Sequence, residues 1–322
     1  MDRACVVLRS GLGRAFVAGV VGVLLGAAAS AQADGFRLRH TPEMGHEHRY
    51  DLRVSMRLTQ KMAEEPERIV DLEQRARLRL RVERIEPSGV ARIALTVDSF
   101  SQRYDAGEGE GTMLFERPKL TTEIEPDTDE YRAFAGVGGA IAGMEATVLV
   151  NAEGRITAVE GLEEIARALG GQDVFDPSLV GVFSGRQLAA TLQPVFNADR
   201  SEGAAPVRRA GDGWQMVESV PLGPVGAFEI VTEMRVASVD GGVARLEGSP
   251  EFAILRPAQA DASVARVRIA AQSGGVEMGW DVRRSMLTRR VATQDIETVW
   301  TMGQIELRQT QKAETRLELV RE

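Results

Sequence analysis

Cysteine is almost absent from this chain of 322 residues, and the only one is Cys5. It precedes an apolar run at residues 16–29, so it leaves the protein if that run belongs to a cleaved signal peptide. The remaining chain then has neither disulfide bonds nor a cysteine nucleophile. Its length is sufficient to bury a hydrophobic core without such cross-links.

Catalytic motifs are also lacking. The sequence contains no G-x-S-x-G or H-E-x-x-H pattern, and all three histidines fall between residues 40 and 48. The glycine-rich stretch GVGGAIAG at 136–143 has neither the spacing of a dinucleotide-binding loop nor the lysine of a P-loop. We therefore predict a protein that is not an enzyme and needs no cofactor.

Only one hydrophobic run is long, and it lies near the N-terminus. Arg3, Arg9 and Arg14 precede or flank its start, and small residues follow it at 29–33. This order is typical of a secretory signal peptide, and the apolar part is too short to span a bilayer. We predict cleavage before Asp34, a periplasmic or secreted protein, and no transmembrane segment in the mature chain.

Positive charge is in deficit. The chain has 39 basic and 47 acidic residues, a net charge of −8, and loss of the three arginines and one aspartate in residues 1–33 would make it −10. An acidic protein is a poor partner for nucleic acid, because that binding is dominated by contacts with phosphates. The composition therefore excludes nucleic acid as a partner.

Alternation of polar and apolar residues with period two dominates both ends of the chain. Residues 74–86, QRARLRLRVERIE, place arginines on one side and apolar residues on the other, as in a half-buried antiparallel strand. Residues 126–196 are instead rich in glycine, alanine and capping residues, which predicts helices around one hairpin at 144–161. The helices are expected at 129–143, 162–169 and 177–196.

The sequence thus predicts an α+β fold with two related antiparallel, half-barrel-like sheets and a helical middle segment packed on them. The expected segments are a signal peptide at 1–33, a polar N-terminal lead at 34–47, a first β-rich half at 48–125, a helical middle with one hairpin at 126–196, a linker at 197–213 and a second β-rich half at 214–322.

A repeated phrase supports the relation between the two halves. RVERIEPSGVARI at 81–93 matches RVASVDGGVARL at 235–246, with one residue fewer in the turn. Both phrases have the pattern strand–turn–strand. We predict equivalent β-hairpins in a duplicated unit, and the alternative is a chance similarity between two amphipathic hairpins.

His40, His46 and His48 form a candidate metal site near the mature N-terminus. On an extended chain His46 and His48 project to the same side, and imidazole is a ready ligand for zinc or copper. A structural zinc site usually has four ligands, and this spacing supplies no clear third and fourth. The alternative, which we favour, is a flexible polar lead into the first strand.

An arginine stripe on the strand at 74–86 is the second candidate site. It is suited to phospholipid head groups, lipopolysaccharide or acidic glycans. The alternative, favoured by the acidic net charge, is a solvated sheet face whose arginines pair with acids. The stripe comprises Arg75, Arg77, Arg79 and Arg81, and the acids available to it are Glu64, Glu65, Glu67 and the run at 123–130.

Several motifs resemble a family of exported bacterial proteins of unknown function. They are HRY at the start of the first strand, the hairpin and helix VLVNAEGRITAVEGLEEI at 148–165, the strand GDGWQMVESVPL at 211–222 and the GVAR hairpin. The resemblance spans most of residues 48–320 and implies no activity and no catalytic residue. The plan of long strands with few helices is also similar to that of envelope lipoprotein carriers with half-barrel folds.

Together these features predict a non-enzymatic exported envelope protein, a periplasmic binding or interaction module whose partner is an unknown envelope component. Two alternatives remain. One is a carrier of an apolar ligand, such as a lipid or acyl chain, in a sheet-lined cavity, and the other is a hydrolase of envelope polymers. An unfilled cavity against the sheet would favour the carrier, and a tightly packed sheet would favour the interaction module.

Overall fold

The computed structural model describes residues 35–62, 65–105, 110–116, 119–123, 141–163, 185–221, 227–255, 266–302 and 305–320. The signal peptide predicted at 1–33 lies outside these ranges. So do most of the helix predicted at 129–143, nearly all of the helix predicted at 162–169 and the start of the helix predicted at 177–196.

Thirteen strands and one helix make up the regular structure of the described ranges. The strands are β1 (Glu47–Met62), β2 (Arg68–Ile85), β3 (Ala91–Asp105), β4 (Glu110–Glu116), β5 (Lys119–Glu123), β6 (Glu145–Val150), β7 (Ile156–Glu160), β8 (Gly213–Pro221), β9 (Ala227–Asp240), β10 (Val243–Leu255), β11 (Arg266–Asp281), β12 (Met286–Met302) and β13 (Ile305–Leu319). The helix, α1 (Gly185–Phe196), lies between β7 and β8 in the sequence.

All thirteen strands belong to one antiparallel sheet. Eleven of them follow a single path in the order β5-β4-β3-β2-β1-β13-β12-β11-β10-β9-β8. β6 pairs with the N-terminal part of β3, whose C-terminal part pairs with β4, and β7 continues from β6. The first and last strands, β1 and β13, are neighbours near the middle of the path, paired from Tyr50↔Leu319 to Met62↔Leu307.

The predicted α+β fold is therefore wrong, because the described part of the protein is nearly all β. The two β-rich halves are not separate sheets, since the pairing of β1 with β13 joins them into one. The expected hairpin in the middle segment is present as β6 and β7, and the described part of the helix predicted at 177–196 is helical. Period two identifies a strand but carries no information about its distant partner, which is why the joining pair was missed.

The sheet has an inner face that is largely buried and an outer face that is largely exposed. On β2 the even-numbered residues from Val70 to Val82 are buried, and most of the odd-numbered ones are exposed. The helix α1 packs against β7 and β12 on the inner face. Its buried apolar residues, which join the core of the sheet, are Leu188, Leu192, Val195 and Phe196.

The N-terminal lead is anchored to this core and is not a flexible extension. Phe36 and Leu38 are buried. The backbone of Phe36 forms two hydrogen bonds with that of Arg208, at 2.9 and 2.7 Å, and the Ala198 N–H donates to the Leu38 carbonyl at 2.8 Å. The alternation in the stretch FRLRH at 36–40 is the sequence signal for this burial, because it places two apolar side chains on one side.

The two repeated phrases form equivalent hairpins, β2–β3 and β9–β10, as predicted. Each hairpin has a one-residue bulge on its first strand, at Glu83 and at Ala237. The backbone pairs beside the bulge also correspond, Val82↔Ile93 in one hairpin and Val236↔Leu246 in the other. A bulge at the same position is a specific feature of strand geometry, so the likeness goes beyond that of any two amphipathic hairpins.

The equivalence extends to the segment before each hairpin. The Gly45 N–H donates to the Val82 carbonyl at 2.9 Å, and the Val82 N–H donates to the His46 carbonyl at 3.0 Å. The second copy has the same two bonds, from Gly211 to Val236 and from Val236 to Asp212, both at 2.9 Å. The strands β1 and β8 that follow therefore enter the sheet in the same register.

The equivalence also extends to the hairpin that follows. The pairing of β6 with β7 matches that of the end of β11 with the start of β12, and each contains one register shift. At these shifts the Thr157 hydroxyl donates to the Leu149 carbonyl at 3.3 Å, and the Thr288 hydroxyl donates to the Gly279 carbonyl at 3.0 Å. We name β1, β2, β3, β6 and β7 the first unit and β8 to β12 the second unit, and the registers assign each residue a counterpart.

Candidate functional site

A cleft of about 440 Å³ opens on the inner face beside α1 and the second unit. Its lining comes from α1, from the turn after α1 and from strands β8, β9, β10, β11, β12 and β13. The polar residues of the lining include Arg186, Thr191, Arg200, Glu218, Thr232 and Arg290.

The first unit is packed where the second unit has this cleft. Through the registers, the counterpart of Glu218 is Leu52 and the counterpart of Thr232 is Leu78. Both leucines are buried, with exposed fractions of 2% and 0%. The same backbone arrangement therefore carries apolar core residues in one unit and polar cleft residues in the other.

Arg290 is the most unusual residue of the cleft. Its neighbours across the sheet are Met278 on β11 and Leu317 on β13, which are both buried. Its Nε atom is buried without a hydrogen-bond partner, and Arg290 forms no ion pair with a residue in the described ranges. Its counterpart in the first unit is Val159, which packs against the core.

Burial lowers the pKa of Arg290 to about 10, while nearby Glu218 acts in the opposite direction and Arg200 adds to the lowering. The guanidinium remains charged at neutral pH, so the inner face carries a cation that forms no ion pair with any residue in the described ranges. Such a charge is costly to bury unless it is paired and hydrogen-bonded. Part of the side chain stays accessible because it lines the cleft.

Glu218 does not supply the missing partner, because it already forms an ion pair with Arg200. Arg200 adopts a left-handed backbone conformation, with φ of 53°, in the turn that follows α1. The buried Asn197 side chain donates to the Ser201 carbonyl at 3.2 Å and thereby closes this turn around Arg200. A left-handed arginine held in this way is strained backbone at the edge of the cleft.

The three predicted metal-site histidines lie together at the end of the lead. The ring centroids of His40 and His48 are 5.4 Å apart, and those of His46 and His48 are 6.4 Å apart. The Nδ1 atom of His40 lies 3.0 Å from the Ser285 carbonyl, and burial lowers the pKa of His40. Across the described ranges, no three histidine, cysteine or carboxylate side chains are placed to hold a metal ion.

The predicted arginine stripe lies on the outer face of β2. Arg77 binds Asp51 of β1 at 3.0 Å, and Arg79 binds Asp98 of β3 at 3.1 Å. Arg75 lies 3.9 Å from Glu73, and Arg81 is exposed opposite Glu47 of β1. Among the described residues, the acids in contact are therefore on the neighbouring strands or on β2 itself, and Glu64 and most of the run at 123–130 lie outside the described residues.

A larger depression of about 680 Å³ lies among charged residues of β1, β2, β3, β11, β12 and β13. Several of its charges are engaged in ion pairs. Arg57 binds both carboxylate oxygens of Asp71 at 2.7 Å, and Lys312 binds Asp295 at 3.1 Å. Exposed pairs of this kind are common on sheet surfaces and do not by themselves indicate a ligand, so we place the candidate site in the smaller cleft.

No family model and no curated protein sequence matches this chain. Its fold is similar to a solved structure of lipovitellin that describes lipid–protein interactions, with a TM-score of 0.46 and 8% identity over 87% of this chain. The chain spans 25% of the length of that lipovitellin chain. No helix in the described ranges combines the length and the apolar character that crossing a membrane requires.

Two further similar structures are from Pseudomonas aeruginosa. OccK5 (OpdH) matches with a TM-score of 0.27 and 8% identity, over 85% of this chain and 98% of its own. OpdQ matches with a TM-score of 0.26 and 6% identity, over 86% of this chain and 100% of its own. Similarities at these values say nothing about ligand or activity, and the resemblance to an exported protein family rests on the motifs quoted above.

Sequence reasoning missed the charged residues of the cleft, although the sequence contains a signal for each. Arg289 and Arg290 are adjacent on one strand, so they must project to opposite faces and one arginine must point inward. In β8 the inward positions run Trp214, Met216 and Glu218, and the glutamate breaks an otherwise apolar row. In the sequence, the signal for the cleft is a charged residue at a strand position whose side chain faces the core.

Proposed function

We propose that this protein is a non-enzymatic binding protein that takes a small ligand into the cleft beside α1. The observation that carries the proposal is the difference between the two units. The first unit fills its inner face with Leu52, Leu78 and Val159, whereas the second unit has Glu218, Thr232 and Arg290 at those positions and leaves a cleft. Since the first unit has the same strand pairing with apolar residues at these positions, the fold does not require polar residues or a cleft there.

The size and lining of the cleft support a ligand of low molecular weight. Its volume of about 440 Å³ is within the range of small-molecule sites in proteins, roughly 300–1,000 Å³. Its walls combine the polar residues named above with Ile230, Phe252 and Val276. A few placed polar groups among apolar walls are typical of sites that bind and orient a ligand.

A binding role is favoured over catalysis by the chemistry of the lining. Among the described residues, the cleft offers arginines, hydroxyl groups, amides and one glutamate that is engaged by Arg200, and no histidine. Hydroxyl nucleophiles in enzymes require an adjacent base. The signal-peptide pattern at residues 1–33 further supports a periplasmic or secreted binding protein, with an envelope component as its ligand or partner.

Filling the cleft tests the proposal. Thr232→Leu introduces the residue of the first unit, and Thr301→Leu is a control on β12 that is exposed and lies outside the cleft lining. We expect native mass spectrometry of the wild-type protein to detect a co-purifying small molecule, or fluorescence titration to detect saturable binding of the neutral apolar dye phenylnaphthylamine. Thr232→Leu should abolish the binding, and Thr301→Leu should preserve it.

Two results would refute the proposal. One is the absence of both a co-purifying molecule and saturable dye binding in the wild-type protein. The other is equal binding by the wild-type protein and Thr232→Leu, which would place the ligand elsewhere. Circular dichroism of each variant establishes that loss of binding is not loss of the fold.

A further inference from the structure

We infer that the ligand of the cleft is an amphiphilic monoanion whose charged group, of the carboxylate class, binds Arg290. This inference rests on the proposed function and specifies the chemistry of its ligand. Three independent observations support it: the unpaired guanidinium, the engagement of the neighbouring acid, and the apolar wall beside them.

The position of Arg290 requires a counter-ion. Its neighbours in the sheet, Met278 and Leu317, are buried apolar residues, and its Nε atom is enclosed without a hydrogen-bond partner. A guanidinium has five N–H donors arranged in a fork that matches a carboxylate with two parallel hydrogen bonds. An anion in the cleft would satisfy donors that no residue of the described ranges satisfies.

The acid of the cleft lining is already neutralised. Glu218 forms an ion pair with Arg200, and the side chains of both are largely buried, with exposed fractions of 25% and 20%. Arg186, at the start of α1, is exposed. Within the interior of the cleft the charges of Arg200 and Glu218 therefore cancel, and Arg290 leaves one positive charge, which corresponds to one negative charge on the ligand.

The apolar part of the ligand follows from the opposite wall. Phe252 and Val276 line the cleft and are buried, and Ile230 and Ala292 line it beside them. These residues lie on β9, β10, β11 and β12, so an apolar body would rest along several strands while its charged end reaches Arg290. Burial of apolar area supplies affinity, and the buried charge supplies selectivity.

The first unit shows that the fold does not require an arginine here. Val159 is the counterpart of Arg290 at the same bulged hairpin, and it packs against the core. A valine at position 290 would avoid the cost of burying an unpaired charge. The presence of arginine in the unit that has the cleft, and of valine in the unit that does not, points to a role in binding.

Isothermal titration with three ligands of equal chain length tests the inference. Decanoate carries a carboxylate, decanol is neutral, and decyl phosphate carries a larger anion. We expect the wild-type protein to bind decanoate roughly tenfold or more tightly than decanol. Arg290→Val should reduce that preference to about onefold and leave decanol binding within about twofold of the wild-type value.

Arg289→Ala is the matched control. Arg289 lies next to Arg290 but on the outer face, where it binds Glu318 at 3.3 Å, and its counterpart in the first unit is Ala158. This variant loses the same charge from the same strand, but from the face that does not line the cleft. It should therefore keep the preference for decanoate. Arg290→Lys should retain part of the preference, because an ammonium keeps the charge without the fork.

The outcomes separate the inference from the function on which it rests. If no member of the series binds, and the dye does not bind either, the proposed function fails. If decanol binds as tightly as decanoate, or if Arg290→Val keeps the preference, the cleft binds ligands but the anionic class is wrong. Tighter binding of decyl phosphate than of decanoate would overturn the carboxylate assignment in favour of a phosphate group.

Discussion

The two units of this sheet share the backbone pairing around their central hairpins but differ at key positions of the inner face. Both have the bulged central hairpin, the same two backbone bonds before it and the same threonine contact after it. On the inner face, the first unit places leucine and valine where the second places glutamate, threonine and arginine. Backbone pairing therefore tolerates either set, and the choice of side chains decides whether a unit becomes core or cleft.

This difference separates stability from function within one sheet. The packed unit gains free energy from buried apolar area and close packing. The open unit gives up part of that gain and also buries the Nε atom of Arg290, which has no hydrogen-bond partner among the residues that the structure describes. Stability lost at a small set of positions is a common mark of a binding site. Exchanging residues between the units tests this interpretation directly.

The largest effect on stability is expected when a polar residue of the second unit replaces its buried counterpart in the first unit. Leu78→Thr removes apolar volume from a position that is 0% exposed and buries a hydroxyl in its place. We expect a loss of about 3 kcal/mol in the free energy of unfolding, measured by urea denaturation. The reverse exchange, Thr232→Leu, should change stability by about 1 kcal/mol or less. Equal costs for the two exchanges would contradict the comparison.

An increase in stability of intermediate size is expected when Arg290 is replaced. Arg290→Val replaces a buried cation with the residue of the first unit, so the unfolding free energy of the ligand-free protein should rise by about 1 kcal/mol. Arg289→Ala removes only an exposed ion pair and should stay within about 0.5 kcal/mol of the wild type. A large loss of stability in Arg290→Val would show that the arginine is a structural group.

Similar effects, within a few tenths of a kcal/mol, are expected where the units are alike. Gly89 and Gly242 are counterparts in the turns of the two hairpins, and both have φ of 84°. Alanine in this left-handed conformation costs about 1 kcal/mol. Gly89→Ala should be slightly more destabilising, since its new Cβ would lie 3.1 Å from the Cβ of Ala152, whereas the Cβ at Gly242 would lie 3.5 Å from Arg283. Thermal and urea unfolding that differ by several kcal/mol would show that the two turns are not equivalent.

The smallest effect is expected on the outer face. Arg77→Ala breaks an exposed ion pair with Asp51 and should reduce the unfolding free energy by about 0.5 kcal/mol or less. The effect should decrease further at high salt, because exposed charges are screened. A loss that is large, or that persists in high salt, would mean that the arginine stripe has a structural role.

The strands and the central hairpins were predictable from local pattern. The alternation around Arg75 and Arg77 identified β2, and the repeated phrase identified β2–β3 and β9–β10 as counterparts. Pairing of β1 with β13 was not predictable, because it depends on two strands at opposite ends of the described chain and on no local signal. The pairing of β1 with β13 joins the two predicted sheets into one.

The candidate site was predictable only in part. The histidines drew attention through their chemistry, and the structure brings all three together without the geometry of a metal site in the described ranges. The residue that matters more, Arg290, looked like one of many arginines in a sequence rich in them. Arg290 differs from most of them because its side chain lies on the inner face of the sheet. Its counterpart of different chemistry, Val159, can be identified only when the strand registers of the two units are compared.

The pairing of β1 with β13 also has a consequence for how the protein is made. Strands become available to the folding chain in sequence order, so the edge of β1 that faces β13 stays unpaired until the last strand is present, although the other edge of β1 already pairs with β2. Until then the growing chain has an uncovered strand edge in what becomes the middle of the sheet, and such edges promote aggregation. We therefore expect slow maturation and a need for chaperone protection, since contacts between distant segments delay folding.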